Sequence, residues 1–316
     1  MDVLPHEKQI QEYIKTIERL KKQDDKLFGR EIDTLEAKVA DLKEKVYATL
    51  SPWERVQISR HSSRPHTIDY VTKMCDDFTE LCGDRNFGED HAIIGGLALI
   101  GNMRCVLIGQ EKGHDTESRL HRNFGMMRPE GFRKALRLMQ LAEKFNLPVV
   151  SLVDTPGAYA VLEAEQRGQA WAIATNLREM ASLKTPIIVV VIGEGCSGGA
   201  LGIAVGDVIG MLEHAYYSVI SPESCASILY KDPTKKNIAA AALKLTSEEV
   251  LGLEVIDVII KEPIGGSHQD PEHTLGAVKQ FIIEQWEQLK DLPADVLVER
   301  RYLKFRRMGA FQYGEK

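Results

Sequence analysis

Residues 186–201 read PIIVVVIGEGCSGGAL. A β-branched run, Ile187 to Ile192, has the composition of a buried strand. It ends in four glycines within seven residues and passes into small, helix-compatible residues. A strand, a turn bare of side chains and a helix start bring several backbone N–H groups to one point, with little bulk in the way. Such a turn holds an anion or the oxyanion of a reacting group. The stretch also has an echo. PVVSLVDTPGAY begins at Pro148, and a shift of 38 residues lays Pro148 on Pro186, strand on strand, and Gly157 on Gly195. A helical segment carrying Ala174, Leu177 and Ala181 on one side separates the two copies. A strand–turn–helix unit used twice makes an α/β fold with parallel strands.

Upstream, 92–100 and 104–109 are expected to form a hairpin through Gly101-Asn102. The polar stretch 111–127, with Lys112, Arg119, His121 and Arg122, reads as a long functional loop. Pro129 opens an amphipathic helix with Phe132, Ala135, Leu138, Met139, Ala142 and Phe145 on one side. Downstream, strands are expected at 216–220 and 255–260, with VIGML (208–212) also strand-like. A helix over 271–289 and a short basic helix finish the chain. Residues 6–50 differ: they are charged and helical in period, with Ile10, Ile14 and Ile17 on one stripe. Ile32, Leu35, Val39, Leu42 and Val46 form a heptad seam, and a turn is expected at Leu27-Phe28-Gly29. Ser51-Pro52-Trp53-Glu54 has the pattern of a capping box with proline at the first helical position.

Composition narrows the function. The 316 residues carry a net charge of −6, which argues against a general nucleic-acid binder. A basic cluster at Arg300, Arg301, Lys304, Arg306 and Arg307 reads as a solvated helix face or a subunit contact. The five cysteines form no close CxxC pair, which speaks against a disulfide framework or a metal site. No apolar run approaches the ~20 residues that span a bilayer, and the N-terminus lacks a signal pattern. A reduced, cytoplasmic protein is expected.

Three readings of the glycine turn compete. Gly193-x-Gly195-x-x-Gly198, with Glu213 twenty residues on, matches a dinucleotide fingerprint. The adjacent Gly198-Gly199 pair and the second glycine turn one unit earlier do not belong to it. The pair suits an oxyanion hole instead. The third reading is tight strand–helix packing with nothing bound. No Walker lysine follows the glycines, so a P-loop is excluded. Gly195 to Gly199 satisfies GxSxG around Ser197, but no His and acid partners are placed by sequence. Cys196 stands where a helix N-terminus would activate a thiol, or as a small buried residue.

The ordered series GQEKGHDT (109–116), RNFGMMRPEGFRKALRLM (122–139), DTPGAY (154–159), RGQ (167–169), NLREM (176–180), VIGEGCSGGAL (191–201), YSVISPESCASIL (217–229) and IKEPIGG (260–266) closely resembles the carboxyltransferase α-subunit family of bacterial acetyl-CoA carboxylase. The resemblance covers nearly the whole chain. It implies a crotonase-like (ClpP/crotonase) spiral of ββα units over 51–290, behind an N-terminal helical hairpin over 1–50 that binds a partner, with a basic tail over 291–316. It implies a zinc-bearing β subunit in an α2β2 heterotetramer and no metal on this chain. Biotin would arrive on the biotin carboxyl carrier protein, charged by biotin carboxylase, and its carboxyl group would pass to acetyl-CoA to give malonyl-CoA for fatty-acid synthesis. Neither a membrane nor a specific nucleic acid is implied.

Carried onto this sequence, the resemblance makes Gly198 and Gly199 the oxyanion donors. Gly157, Ala158, Gly195, Cys196 and Ser197 then shape the biotin pocket, and Lys112, Arg119 and Arg122 are loop cations for substrate or partner. No side-chain general base is required, because the freed biotin nitrogen takes the proton. Two departures stand near this cleft. After DTPGAY the family continues with Pro-Gly, where this chain has Ala160-Val161; and it has Gly and Trp where Ser224 and Tyr230 stand. If the first of these needs a left-handed backbone, Ser224 is strained by about 1–3 kcal/mol. A scaffold subunit without turnover and a self-sufficient crotonase-like hydratase are the alternatives, the latter needing an acidic pair such as Glu163 and Glu165.

Overall fold

The 38-residue echo is the register of the central strand pair. In the computed structural model of the chain, which describes residues 4–24 and 28–309, Val149 lies opposite Ile187 and Val153 opposite Val191, each pair 38 apart. The echo then breaks. The ladder shifts between Val153 and Thr155, so that Thr155 faces Gly195 at a separation of 40 (195 − 155). The glycines that the echo superposes are therefore not equivalent. Gly157 lies in a turn with φ +147°, whereas Gly195, like Gly193, belongs to the second strand. The turn expected over 193–199 begins only at Ser197.

Among the described residues eight strands form the sheet: β1 (Asp77–Glu80), β2 (Ile93–Ile100), β3 (Met103–Gln110), β4 (Val149–Thr155), β5 (Ile187–Cys196), β6 (Val208–Leu212), β7 (Tyr216–Ser218) and β8 (Val258–Ile260). Their order is β1-β2-β3-β4-β5-β6-β8, with β7 beside the end of β5. The expected hairpin is β2–β3, turning at Gly101 with φ +59°. From β3 onward the strands pair with one another in parallel, and Tyr216 of β7 adds one antiparallel bridge to Thr246. Parallel strands need both faces covered, and every residue of β4 and β5 is buried. The last two strands are shorter than expected: 219–220 and 255–257 lie outside them.

Helices cover the faces. Pro129–Lys144 turns Phe132, Ala135, Leu138, Met139 and Ala142 inward, but Phe145, expected on that side, is its exposed C-cap. Gln169–Ser182 buries Ala172, Asn176 and Met180 and leaves Ala174 and Ala181 outside, a correction to the expected stripe. The stretch 111–127 is not all loop: Asp115 caps a helix over Thr116–His121, and a single turn follows at Asn123–Gly125. Pro271–Leu289 is the expected helix. In the last helix, Ala294–Arg307, Arg301 is not on a solvated face. It is buried, paired with Asp207 at 2.7 Å and donating to the carbonyls of Met180, Leu183 and Thr185.

The N-terminal helices Lys8–Asp24 and Gly29–Ala48 share their own core of Ile10, Ile17, Leu20, Ile32, Val39 and Tyr47, closed by Ile58 of the next helix. Leu27 of the expected turn lies outside the described residues, as do 310–316 of the tail. Ser51 forms the expected capping box with Glu54. Among the described residues no helix is long and apolar enough to cross a membrane.

Candidate active site

Parallel sheets place ligands beyond the carboxyl ends of their strands. Here β4 ends in the turn Pro156-Gly157-Ala158, and β5 runs directly into a short helix, Ser197–Leu201. Ser197 makes the change of direction in the left-handed region, at φ +56°, an uncommon state for a residue with a side chain. The first turn of that helix has no internal acceptor for its N–H groups. Gly198 and Gly199 sit in it.

Each glycine has a separate physical reason. A Cβ on Gly199 would lie 2.4 Å from the carbonyl carbon of Gly157 and 2.6 Å from the nitrogen of Ala158. The two turns thus meet backbone to backbone at Gly199, which does not face the open approach that its place in the pair implied. A Cβ on Gly193 would meet Asp154 Oδ1 at 2.4 Å, and one on Gly195 would meet the Tyr217 ring at 2.8 Å. Neither has room for a pyrophosphate. Glu213, the would-be ribose acid, instead accepts from Lys261 and from the Glu262 amide. Of the four glycines in 193–199, Gly198 is the one with space, Ile173 being nearest at 3.5 Å. It opens on an apolar cleft of about 440 Å3 walled by Ser197, Leu201, Tyr217, Val219, Leu253 and Phe305.

A buried polar frame holds this geometry. Gln110 donates to the Gly199 carbonyl at 2.7 Å and accepts from the Asp154 amide at 3.1 Å, linking the new helix to β4. Asp154 Oδ1 accepts from the Glu194 amide at 2.9 Å. Lys112 Nζ lies between Asp154 Oδ1 at 2.5 Å and Glu194 Oε1 at 2.7 Å. Glu194 Oε2 accepts from Arg60 and from the Tyr216 hydroxyl, both at 2.7 Å, and Arg60 reaches Glu223 at 2.6 Å. Burial opposes charge on Asp154 and Glu194, but Lys112, joined by His66 at Asp154 and by Arg60 and Tyr216 at Glu194, outweighs it and holds both carboxyls below their usual range. Lys112 is held above its usual value by the same two carboxylates, against burial. It is an internal strut, not a surface loop cation.

The structure thus brings Gly157, Ala158, Gly198 and Gly199 together. Cys196 is buried, and burial with Glu194 nearby pushes its thiol up to about 11, so it is no activated nucleophile. No imidazole bonds the Ser197 hydroxyl among the described residues. Arg119 donates from Nε to the Gly113 carbonyl at 3.2 Å, and Arg122 from Nη1 to that of His91 at 3.1 Å. Ser224 is not strained: it follows the N-cap Ser221 inside the helix Pro222–Tyr230, with no positive φ. In the altered segment, Leu162–Gln166 is a helix with Glu163 and Glu165 exposed. One group spaced for a metal, Glu80, Cys82 and Glu89, has the Lys134 ammonium between its two carboxylates. Sequence reading missed Gln110, Asp154, Glu194 and Arg60 as parts of the site. The first three carry a signal, a polar residue inside an apolar strand; Arg60 carries none.

A family model described as acetyl co-enzyme A carboxylase carboxyltransferase-like matches residues 3–309. The chain is 64% identical over 316 residues to the acetyl-coenzyme A carboxylase carboxyl transferase subunit alpha of Protochlamydia amoebophila (strain UWE25), covering 99% of this chain and 100% of that one. It is 59% identical over 315 residues to the subunit alpha of Chlamydia trachomatis serovar L2, covering 99% and 97%. Among solved structures, the transcarboxylase 12S hexamer matches 82% of this chain and 47% of its own at a TM-score of 0.57 and 16% identity. A Pseudomonas malonate decarboxylase hetero-tetramer matches 68% and 89% at 0.55 and 14%. At that identity the structures speak for the fold alone, which is the crotonase-like α/β fold expected.

Proposed function

Since the chain belongs to the family of acetyl-CoA carboxylase carboxyl transferase α subunits, we propose that it carries the carboxyl transfer from carboxybiotin to acetyl-CoA through the N–H groups of Gly198 and Gly199. Carboxybiotin is the substrate, brought on a carrier protein, and loss of CO2 leaves negative charge on its ureido oxygen and a nitrogen basic enough to deprotonate the acetyl methyl group. The chain's part is then to bind, orient and stabilise charge. Two main-chain donors do this without a charged side chain, and removing one such donor typically costs about 2.7–4 kcal/mol in the barrier.

The observation that carries the proposal is the meeting of the Ser197–Leu201 helix start with the Gly157-Ala158 turn beside an apolar cleft of about 440 Å3. A cleft of that size and polarity suits a fused-ring urea, with Ser197 and Gly198 in its wall; Gly195, Gly157 and Ala158, expected to shape the pocket, do not line it. Arg119 and Arg122 remain for the substrate or partner surface. We assign the remaining machinery to other chains: a β subunit bearing zinc, assembled as α2β2 in the cytoplasm, with biotin carboxylase recharging the carrier for fatty-acid synthesis.

The test is purification with and without a β subunit, followed by malonyl-CoA formation from acetyl-CoA and carboxybiotin. Activity in the complex and none in the isolated chain supports the reading. Assembly without turnover supports a scaffold role and refutes it.

A further inference from the structure

A second cleft, of about 230 Å3, lies on the polar side of the same strand ends, and Arg60, His66, Lys112, Arg119, Pro156 and Glu194 are among its walls. Two of its cations are committed: Arg60 to Glu194 and Glu223, Lys112 to Asp154 and Glu194. Arg119 is not. Its Nε bonds the Gly113 carbonyl, and its terminal nitrogens have no carboxylate partner among the described residues. His66, also in the cleft wall, is 5% exposed. Nδ1 faces Asp154 Oδ2 at 3.2 Å, and the His114 ring tilts against the imidazole at 4.7 Å. Nε2, on the edge away from Asp154, is buried with no hydrogen-bond partner. Buried polar atoms are nearly always paired, so an orphan on a cleft wall marks a partner that binds there.

We infer that this cleft is a binding site for a small planar oxyanion, a carboxylate or bicarbonate, held between the Arg119 guanidinium and His66 Nε2. The guanidinium fork matches two coplanar oxygens. Bicarbonate satisfies both walls at once: an anionic oxygen accepts from Arg119, and its O–H donates to a neutral Nε2. The carboxylate of a malonyl thioester satisfies Arg119 and accepts from a protonated Nε2–H. Asp154, facing Nδ1, fixes the ring with Nε2 turned away from it. Lys112 and Arg60 are neutralised by Asp154, Glu194 and Glu223, so the attraction for an anion rests on Arg119. The malonyl source rests on the proposed function; oxyanion binding itself does not.

The experiment uses the full chain with three probes: [13C]bicarbonate followed by NMR line broadening in a sealed tube, malonyl-CoA by calorimetry with acetyl-CoA as the carboxylate-free control, and inorganic phosphate as the tetrahedral control. Saturable binding of bicarbonate, or of malonyl-CoA in excess over acetyl-CoA, is expected, and whichever binds tighter identifies the source. Arg119→Leu and His66→Phe should each weaken it at least tenfold. Arg119 is only partly buried, so its variant keeps the test valid if His66→Phe fails to fold. No saturable binding of either carboxylate, binding of phosphate alone, or binding unchanged in the folded variants overturns the inference. Malonyl-CoA formation by the same preparation with a β subunit separates the two claims: turnover without oxyanion binding sinks this one only, and binding without turnover sinks the transferase reading.

Discussion

Replacing Gly199 with alanine places one methyl group where the two active-site turns touch. Its Cβ would stand 2.4 Å from the Gly157 carbonyl carbon, 2.6 Å from the Ala158 nitrogen and 2.8 Å from the Gly157 oxygen. Carbon contacts settle near 3.5 Å, so the turns must part by roughly 1 Å. All three neighbours are backbone, so no side chain can swing aside. A displacement of about 1 Å at a reacting centre costs on the order of 10²-fold, which is about 2.7 kcal/mol of barrier. Overpacking costs the fold a further ~1–3 kcal/mol. Gly198→Ala is the internal control, because its Cβ meets only Ile173 at 3.5 Å, an ordinary contact; its rate should change by less than about tenfold, 1.4 kcal/mol. The assay is malonyl-CoA formation by each variant with a β subunit, alongside thermal unfolding and size-exclusion profiles. Gly199→Ala within threefold of the parent rate, or Gly198→Ala the more damaging of the two, would refute the reasoning.

Gln110→Leu should orphan the Gly199 carbonyl and the Asp154 amide at about 1–3 kcal/mol each; steady-state kinetics should show the loss mainly in kcat, and an unchanged kcat counts against the clamp. Lys112→Met leaves buried Asp154 with only His66 and the Glu194 amide, and Glu194 with only Arg60 and the Tyr216 hydroxyl, so urea denaturation should show a loss of about 3–5 kcal/mol. Acid unfolding should come in two stages. Burial, with His61 beside it, lowers His268 from 6.5 to about 3, so its contribution is complete above pH 6.5 and lost as pH falls toward 3. Burial alone would raise Glu262, but Arg64 outweighs it and holds the carboxyl at about 2 against 4.5; that contribution is complete above pH 4.5 and lost as pH falls toward 2. His268→Phe should flatten the fall in Tm between pH 6.5 and 4.5 and leave the steeper fall below it, and an unaltered profile would contradict the assignment.

The parts legible in sequence were those set by local pattern. The 38-residue echo is a ladder register, Gly101-Asn102 is a hairpin turn, and Ser51 and Pro271 open helices where their side chains dictate. What stayed hidden depends on partners far along the chain. Gly193 and Gly195 read as a turn because glycine usually punctuates, yet in a strand it also marks close approach by another group, here Asp154 and Tyr217. Arg60 and Glu194 are 134 residues apart, and nothing local to either announces the pair. Lys112 and Arg301 looked like solvent-facing cations because burial of a charge shows only when its carboxylates arrive. Ser224 looked strained by comparison with the family's glycine, but as the third residue of a helix that starts at Pro222 it needs no special backbone.

The most direct test is a crystal structure of the complex with a β subunit and a biotin ligand, read at the amide nitrogens of Gly198 and Gly199. The ureido oxygen should lie about 2.7–3.1 Å from both. Amides turned into the protein, or a ureido group seated away from the Ser197–Leu201 helix start, would contradict the mechanism.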